Sequence, residues 1–527
     1  MRFNLQNKAA KETVNYMGAT AYKMSPELEL YTAVATCMVD DSYYEKQENR
    51  IDRIKRLVAA CSPEFVAKLA IYTRKEMNLR SVPVVLAIEL AKIASGNNLV
   101  SRTINGIVQR ADEIKEVLAY YQISNKRTGV KKLNKLSKQV QKGLAMSFNK
   151  FDEYQFAKYN TSAEVKMKDA LFLVHPVAKD EAQQELFNKI AKDNLDTPYT
   201  WETALSELGQ KAFASEKEKQ QAIALQWEEL VLSGKLGYMA VLRNLRNILT
   251  KGSATAFKEA LAILTDEIRI KKAKQLPFRY LSAFLEIEKL AESEITFEDQ
   301  KNRIMKAKKA LEMALLIACD NIPVNKGKTV ILSDNSGSMY GDRAGKSLVS
   351  AMSNRTTADI ANLFAVLYWN KSENTSIGLF GDQLVQPSLS RKTNLFENFN
   401  QVSQAAKKCG PSTEAGIFEY MQKLIASRSI VDRIVIFSDC QLGKGCNWYD
   451  RKGNRADNFN KLLTEYLRIN PTVKIYSVDL KGYGNSLTGM HDKHTILVSG
   501  WSEKIFDMLY YVENGSTVVD QINQIEL

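Results

Sequence analysis

The chain has 527 residues, 45% hydrophobic and 25% charged, a globular composition that excludes general disorder. No run of about 18 apolar residues is present to span a bilayer. The opening MRFNLQNKAAKETV lacks the apolar core of a secretion signal, so a cytoplasmic location is expected. The net charge of +13 is uneven: residues 1–320 hold 50 basic and 40 acidic side chains, residues 321–527 hold 23 and 20. Such an excess on one part of a chain points to a polyanionic partner.

From the N-terminus to about residue 320 the pattern is helical. PEFVAKLAIYTRKEM, VPVVLAIELAKIA, GYMAVLRNLRNILT and LPFRYLSAFLEIEKLA carry apolar residues at i, i+3, i+4 and i+7. Short breaks of Ser, Asn, Gly or Pro separate them. A long series of this kind predicts stacked helix pairs, a solenoid, or else an irregular helical bundle.

Within this part, residues 126–142 read KRTGVKKLNKLSKQVQK, seven basic residues and no acid. At about 100° per residue, Leu133, Leu136, Val140, Leu144 and Phe148 fall on one side of a helix. Lys131, Lys135, Lys138 and Lys142 fall on the other. Lysines at that pitch can follow a phosphate backbone without reading bases, although an ordinary solvated face has the same look. Farther on, AKYNTSAEVKMKDALFLVHPVAK contains Lys158, Lys168 and His175. By position alone, a single His on a mostly apolar helix reads as structural.

After NIPVNKGK the pattern changes to strand–helix alternation. TVILSD, TTADIANLFAVLYWN, TSIGLFG, TEAGIFEYMQKLIAS, DRIVIFSD, NFNKLLTEYLRI, VKIYSVDL, HTILVSG and SEKIFDMLYYVE follow in order. This predicts an α/β domain with a mostly parallel, doubly wound sheet. The expected division is therefore 1–322 and 323–527. Six cysteines, Cys37, Cys61, Cys319, Cys409, Cys440 and Cys446, form no C-x-x-C pair, so neither a zinc knuckle nor a disulfide framework is indicated.

Open parallel sheets bind ligands at the carboxyl ends of their strands. TVILSD ends at such an edge and continues as NSGSM. Asp334, Ser336 and Ser338, at alternate positions, offer three oxygens to one side. Thr413, before a helix, and Asp439, after DRIVIFS, can complete the set. Hydroxyls and carboxylates suit a hard divalent cation such as Mg2+. A capped turn is the plainer alternative for the serines, and a simple N-cap for Thr413. No G-x-S-x-G elbow or G-x-x-x-x-G-K-[ST] loop occurs. The three histidines, His175, His491 and His494, form no ligand pattern beyond a loop HDKH. A binding protein rather than an enzyme is expected.

These segments carry a resemblance. The C-terminal part, roughly residues 325–520, resembles a von Willebrand factor A domain, and its D-x-S-x-S cluster resembles a metal-ion-dependent adhesion site (MIDAS). VKMKDALFLVH resembles the W-x-x-K-D-L-L-R-L-x-H segment of the Ro autoantigen family through Lys168, Asp169, Leu171, Leu173 and His175, with Val165 and Phe172 in place of the Trp and Arg. VLRNLRN resembles its L-L-R-N-L segment through Leu242, Arg243, Asn244 and Leu245. The resemblance implies a multidomain fold: an all-α, HEAT-like helical-repeat ring (the TROVE module) closed by a Rossmann-like von Willebrand A domain. It implies a monomeric ring that binds Y RNA on a basic outer surface. It also implies capture of single-stranded ends of misfolded or precursor noncoding RNA through the hole, in RNA quality control, with an exoribonuclease as partner. Lys158 and His175 match two of the family's Y RNA contacts, and Ser162 stands at the third. An adaptor gripping an acidic group through a metal is the alternative reading.

Overall fold

The structure, a computed structural model, describes residues 11–37, 40–41, 45–126, 136–160, 163–292, 298–322, 327–341, 345–349, 353–443, 459–488, 494–513 and 517–527. Lys131, Lys135, Cys446, Ser162 and His491 lie outside them. The chain forms two compact units, one of residues 53–236 with 519–527, the other of residues 1–52 with 237–518. The units cross the boundary read at residue 322. Among the described residues no helix is long and apolar enough to cross a membrane.

The first unit is helical, for local reasons legible in its caps. Pro63–Lys75 begins with the Ser62 hydroxyl accepting from Phe65 N, has Pro63 in its first turn, and ends on Arg74 and Lys75. Each feature satisfies an end group or suits the helix dipole. Its apolar stripe packs on Ser81–Ile93 and on Leu99–Ile107, which in turn packs on Lys138–Phe148.

That last contact depends on Gly143. A methyl group there would lie 2.8 Å from both Ser101 O and Ile104 Cβ, so the two helices meet only because Gly143 has no side chain. Gly143→Ala is expected to destabilise this unit by about 1–3 kcal/mol, measured as a lower urea midpoint. At the other end of the helix, Phe148 is fully buried against Phe156 and Phe187. Gln183 donates to Phe148 O at 3.1 Å and Phe151 O at 3.3 Å, closing carbonyls that a helix end leaves open.

The second unit is built on a six-stranded sheet. Its spatial order is Thr495–Ser499, Lys474–Asp479, Arg433–Ser438, Thr329–Asp334, Thr375–Phe380 and Leu384–Val385. The first five are parallel and the last is antiparallel. Val330, Ile331 and Leu332 are all fully buried, as both-face coverage of a parallel strand requires. Val330 and Leu332 pack in one core with Ile417, Met421 and Leu463. On the other face Phe364 meets Phe437 and Phe506. From the central strand Thr329–Asp334 the chain goes first to the strand on one side, then crosses to the strand on the other. The carboxyl end of the central strand is thus a topological switch point.

The strand–helix alternation read from the sequence is found segment by segment, from Thr329–Asp334 to Lys504–Glu513. The N-terminal segment was read only as part of the helical series. Instead Thr20–Lys23 pairs with Glu12–Val14 and with Asn485–Ser486, and Tyr31 OH donates to Ser499 O at 2.7 Å. Helices Tyr238–Lys251 to Glu298–Ala318 belong to this unit too, and Phe284 stacks on Phe396 at 4.2 Å.

Glu503 in this unit is mostly buried, and among the described residues its Oε2 has no hydrogen-bond partner. Burial pushes its carboxyl up to about 7, with Lys504, Asp507 and Lys274 the nearby charges. A folded-state value above the ordinary 4.5 means that the penalty is absent below pH 4.5, grows with rising pH, and is complete above 7. Glu503→Gln is therefore expected to raise the melting temperature at pH 8, by roughly 2 kcal/mol of stability, and to change little at pH 4.5. Thermal melts at the two values decide it.

Candidate functional sites

The carboxyl edge of the sheet gathers the residues expected there. Asp334 is fully buried at the end of the central strand. Its Oδ1 accepts from Ser336 N at 2.9 Å and its Oδ2 from the Ser438 hydroxyl at 2.6 Å. The Ser336 and Ser338 hydroxyls are 3.2 Å apart, and both residues are buried. Asp439, also buried, follows the neighbouring strand, and its Oδ1 accepts from Gln441 N. The loop of Thr413 is joined to the same place by Gly337 N donating to Pro411 O at 2.8 Å. Thr413 itself donates through N and Oγ1 to Asp382 Oδ1, at 2.6 and 2.9 Å. Its hydroxyl proton is thus directed away, and a lone pair is what it can offer a cation.

Three residues missing from the sequence reading belong here. Ser438 holds Asp334, and Asp382 orients Thr413. Glu414, buried, accepts from Gly443 N at 3.1 Å. No local signal marks Glu414, because an acid at the start of a helix is ordinary. Behind the loop, Asn335 and Asn362 form a buried pair: Asn362 Nδ2 donates to Asn335 Oδ1 at 2.8 Å, and Ser333 Oγ donates to Asn362 Oδ1 at 2.8 Å. This pair pins the backbone between Asp334 and Ser336.

The electrostatics are one-sided. Burial, then Asp439, pushes Asp334 up to about 7. Burial, then Asp334, pushes Glu414 up to about 8. What opposes these shifts is hydrogen bonding, not a Lys or Arg. Buried acids that repel one another, edged with hydroxyls, are a donor set that fits a hard cation. Among the described residues no three Asp, Glu, His or Cys side chains converge into a ready cage. The serines and Thr413 would therefore supply much of any coordination.

The second site lies in the helical unit. Helix Lys138–Phe148 starts at Lys138, with Ser137 as its N-cap and Leu136 before it. Leu136 therefore drops out of the expected apolar face. Val140, Leu144 and Phe148 are fully buried, and Lys138 and Lys142 are exposed. Lys131 and Lys135 fall outside the described residues.

Between the two lysines, Gln141 Nε2 reaches Leu173 O and Val174 O, each at 3.3 Å. These carbonyls end helix Met167–Val174, whose next residue is His175. His175 is exposed, with φ 50°. It caps a helix on the surface rather than filling a core. Asn149 accepts from Lys179 N at 3.0 Å and donates to Val177 O at 2.8 Å. The loop after His175 is thus docked on the end of the lysine helix.

Exposed Lys138 and Lys142 thus lie on a helix that Gln141 bonds to the helix end capped by exposed His175, and half-buried Lys168 lies on that second helix. Asp169 accepts from Lys166 N at 3.1 Å, so its role is to cap that helix. Lys158 is exposed at the end of Glu153–Lys158, its ammonium 5.7 Å from the Tyr154 ring centre. Both short helices pack on Ala111–Ser124. Gln141 and Asn149 had no sequence signal, because their partners lie about 30 residues away.

The TROVE domain family matches residues 19–226 and 193–329, more than half of the chain. The chain belongs to the TROVE-domain family. VKMKDALFLVH and VLRNLRN, which carried the Ro-type resemblance, both lie inside the match. Telomerase protein component 1 of Mus musculus is 26% identical over 312 residues, covering 44% of this chain and 11% of that protein. Its Rattus norvegicus counterpart is 25% identical over 319 residues, covering 46% and 12%. The chain thus spans only about a tenth of these relatives. The crystal structure of the Deinococcus radiodurans Ro (RSR) protein superposes with a TM-score of 0.55 over 92% of this chain and 99% of that one, at 15% identity. That likeness concerns the fold.

Proposed function

We propose that this TROVE-family chain is a noncoding-RNA-binding scaffold of Ro type. The observation that carries the reading is the basic surface of Lys138, Lys142 and His175, inside the segment matched to the family. Phosphate contacts from that surface provide sequence-independent affinity for a small structured, Y-like RNA. In the full reading, residues 1–322 are a HEAT-like ring and residues 323–527 a von Willebrand A domain. A hole takes single-stranded ends of misfolded or precursor RNA. The chain works as a monomer in the cytoplasm, in RNA quality control beside an exoribonuclease, and has no catalytic residue of its own. Crosslinking in the native cells followed by sequencing of the bound RNA tests this. Enrichment of one structured small RNA with assorted 3′-extended precursors supports it, and recovery no better than a basic control protein refutes it.

A second reading rests on the carboxyl edge. Asp334, Ser336, Ser338, Thr413 and Asp439 would hold a divalent cation, Mg2+ by the hardness of the oxygens, with Glu414 beside it. The cation would supply a positive charge for an acidic group of a protein partner. Capture of a protein that is lost with chelator, while RNA capture persists, supports this role as an addition to RNA binding.

A further inference from the structure

Helix Met167–Val174 buries Met167, Ala170, Leu171 and Val174. Phe172 is turned the other way and is 53% exposed. It lies one turn after Lys168 and just under one turn before His175. Lys168 and Phe172 share a face, since residues four apart on a helix are neighbours, and His175 is the cap that follows the helix. A single exposed apolar residue is ordinary. What distinguishes Phe172 is its company. Lys168 stands one turn before it, exposed His175 follows the helix end, and Gln141 bonds that end to the helix carrying the exposed Lys138 and Lys142. The acid on this helix, Asp169, is turned back to its N-terminus. An exposed ring one turn from a lysine presents a π-face to a base and positive charge to a neighbouring phosphate.

We infer that Phe172 is a stacking platform for an unpaired base of the bound RNA. The inference rests on the RNA-binding reading and adds to it a preference for single-stranded over paired nucleotides at this surface. A protein partner would need a continuous apolar patch, whereas Leu171 and Val174 beside Phe172 are buried and Lys168 shares its face.

The test uses the full chain and two RNA probes of equal length, an unstructured oligouridine and a blunt duplex, read by fluorescence anisotropy across a salt series. Phe172→Ala is expected to weaken oligouridine binding roughly 5- to 10-fold. The slope against salt should not change, because no phosphate contact is lost, and duplex binding should not change. Phe172→Trp should restore or exceed wild-type affinity. Melting should be unaffected, since the ring is exposed. Oligouridine binding by Phe172→Ala equal to wild type overturns the inference and leaves the RNA reading standing. Wild-type protein that binds neither probe overturns both. Loss of a co-purifying protein with RNA affinity unchanged overturns the inference in favour of a protein contact.

Discussion

Replacing Lys138 and Lys142 together with Ala is expected to weaken binding of every RNA tested and to flatten the dependence of affinity on salt by about one logarithmic unit per lysine. Between 50 and 200 mM salt, each lost unit corresponds to about a fourfold smaller drop in affinity. The prediction follows from geometry. The two ammonium groups are exposed one turn apart, on a helix whose opposite side is fully buried and whose axis is set at Gly143. Lys142 donates to Asn98 Oδ1 at 3.2 Å, a neutral partner that a phosphate can displace. Substitution on the exposed face should leave the melting temperature within a degree or two. A changed salt slope therefore reports lost phosphate contacts and not unfolding. Gel-shift or anisotropy titrations at four salt concentrations suffice, and an unchanged slope would remove this helix from the interface.

Millimolar Mg2+ is expected to raise the melting temperature of the wild-type protein by several degrees, and Asp334→Asn or Asp439→Asn to abolish that rise. A ligand at 100 times its dissociation constant stabilises the folded state by about 2.7 kcal/mol, worth roughly 1.5 °C per kcal/mol in a unit of this size. The amide is nearly isosteric with the carboxylate at Asp334. It can still accept from Ser336 N and meet the Ser438 hydroxyl, so the variant should fold. What it lacks is the negative charge that a hard cation requires. Calorimetric titration with Mg2+ gives an independent reading. A wild-type protein that neither gains stability nor takes up heat would leave Asp334 and the serines as a capped turn.

Much of this architecture is legible in the residues alone. Val330, Ile331 and Leu332 in succession, short and rich in β-branched residues, fit a strand covered on both faces, and the acid that ends the run lies at the sheet's carboxyl edge. The i, i+3, i+4 pattern around Val140, Leu144 and Phe148 identifies a buried side and hence a lysine side. The motif ending at His175 marks the family. These are short-range properties, fixed by the period of the backbone and the solvation of each side chain.

What arrives opposite each face is a long-range matter, decided only by tertiary packing. Glu414 joins Asp334 because a crossover helix starts between strands that diverge from the centre of the sheet. Thr20–Lys23 finds Asn485–Ser486 more than 450 residues later, a pairing that no window of sequence contains. Gln141 reaches the carbonyls before His175 only through the packing of two helices about 30 residues apart in the chain. That packing joins a stripe of lysines to an isolated histidine, and leaves Phe172 bare. The periodicity of the chain determined which side chains would face away from the core; the packing of distant elements decided which of them would face the same partner.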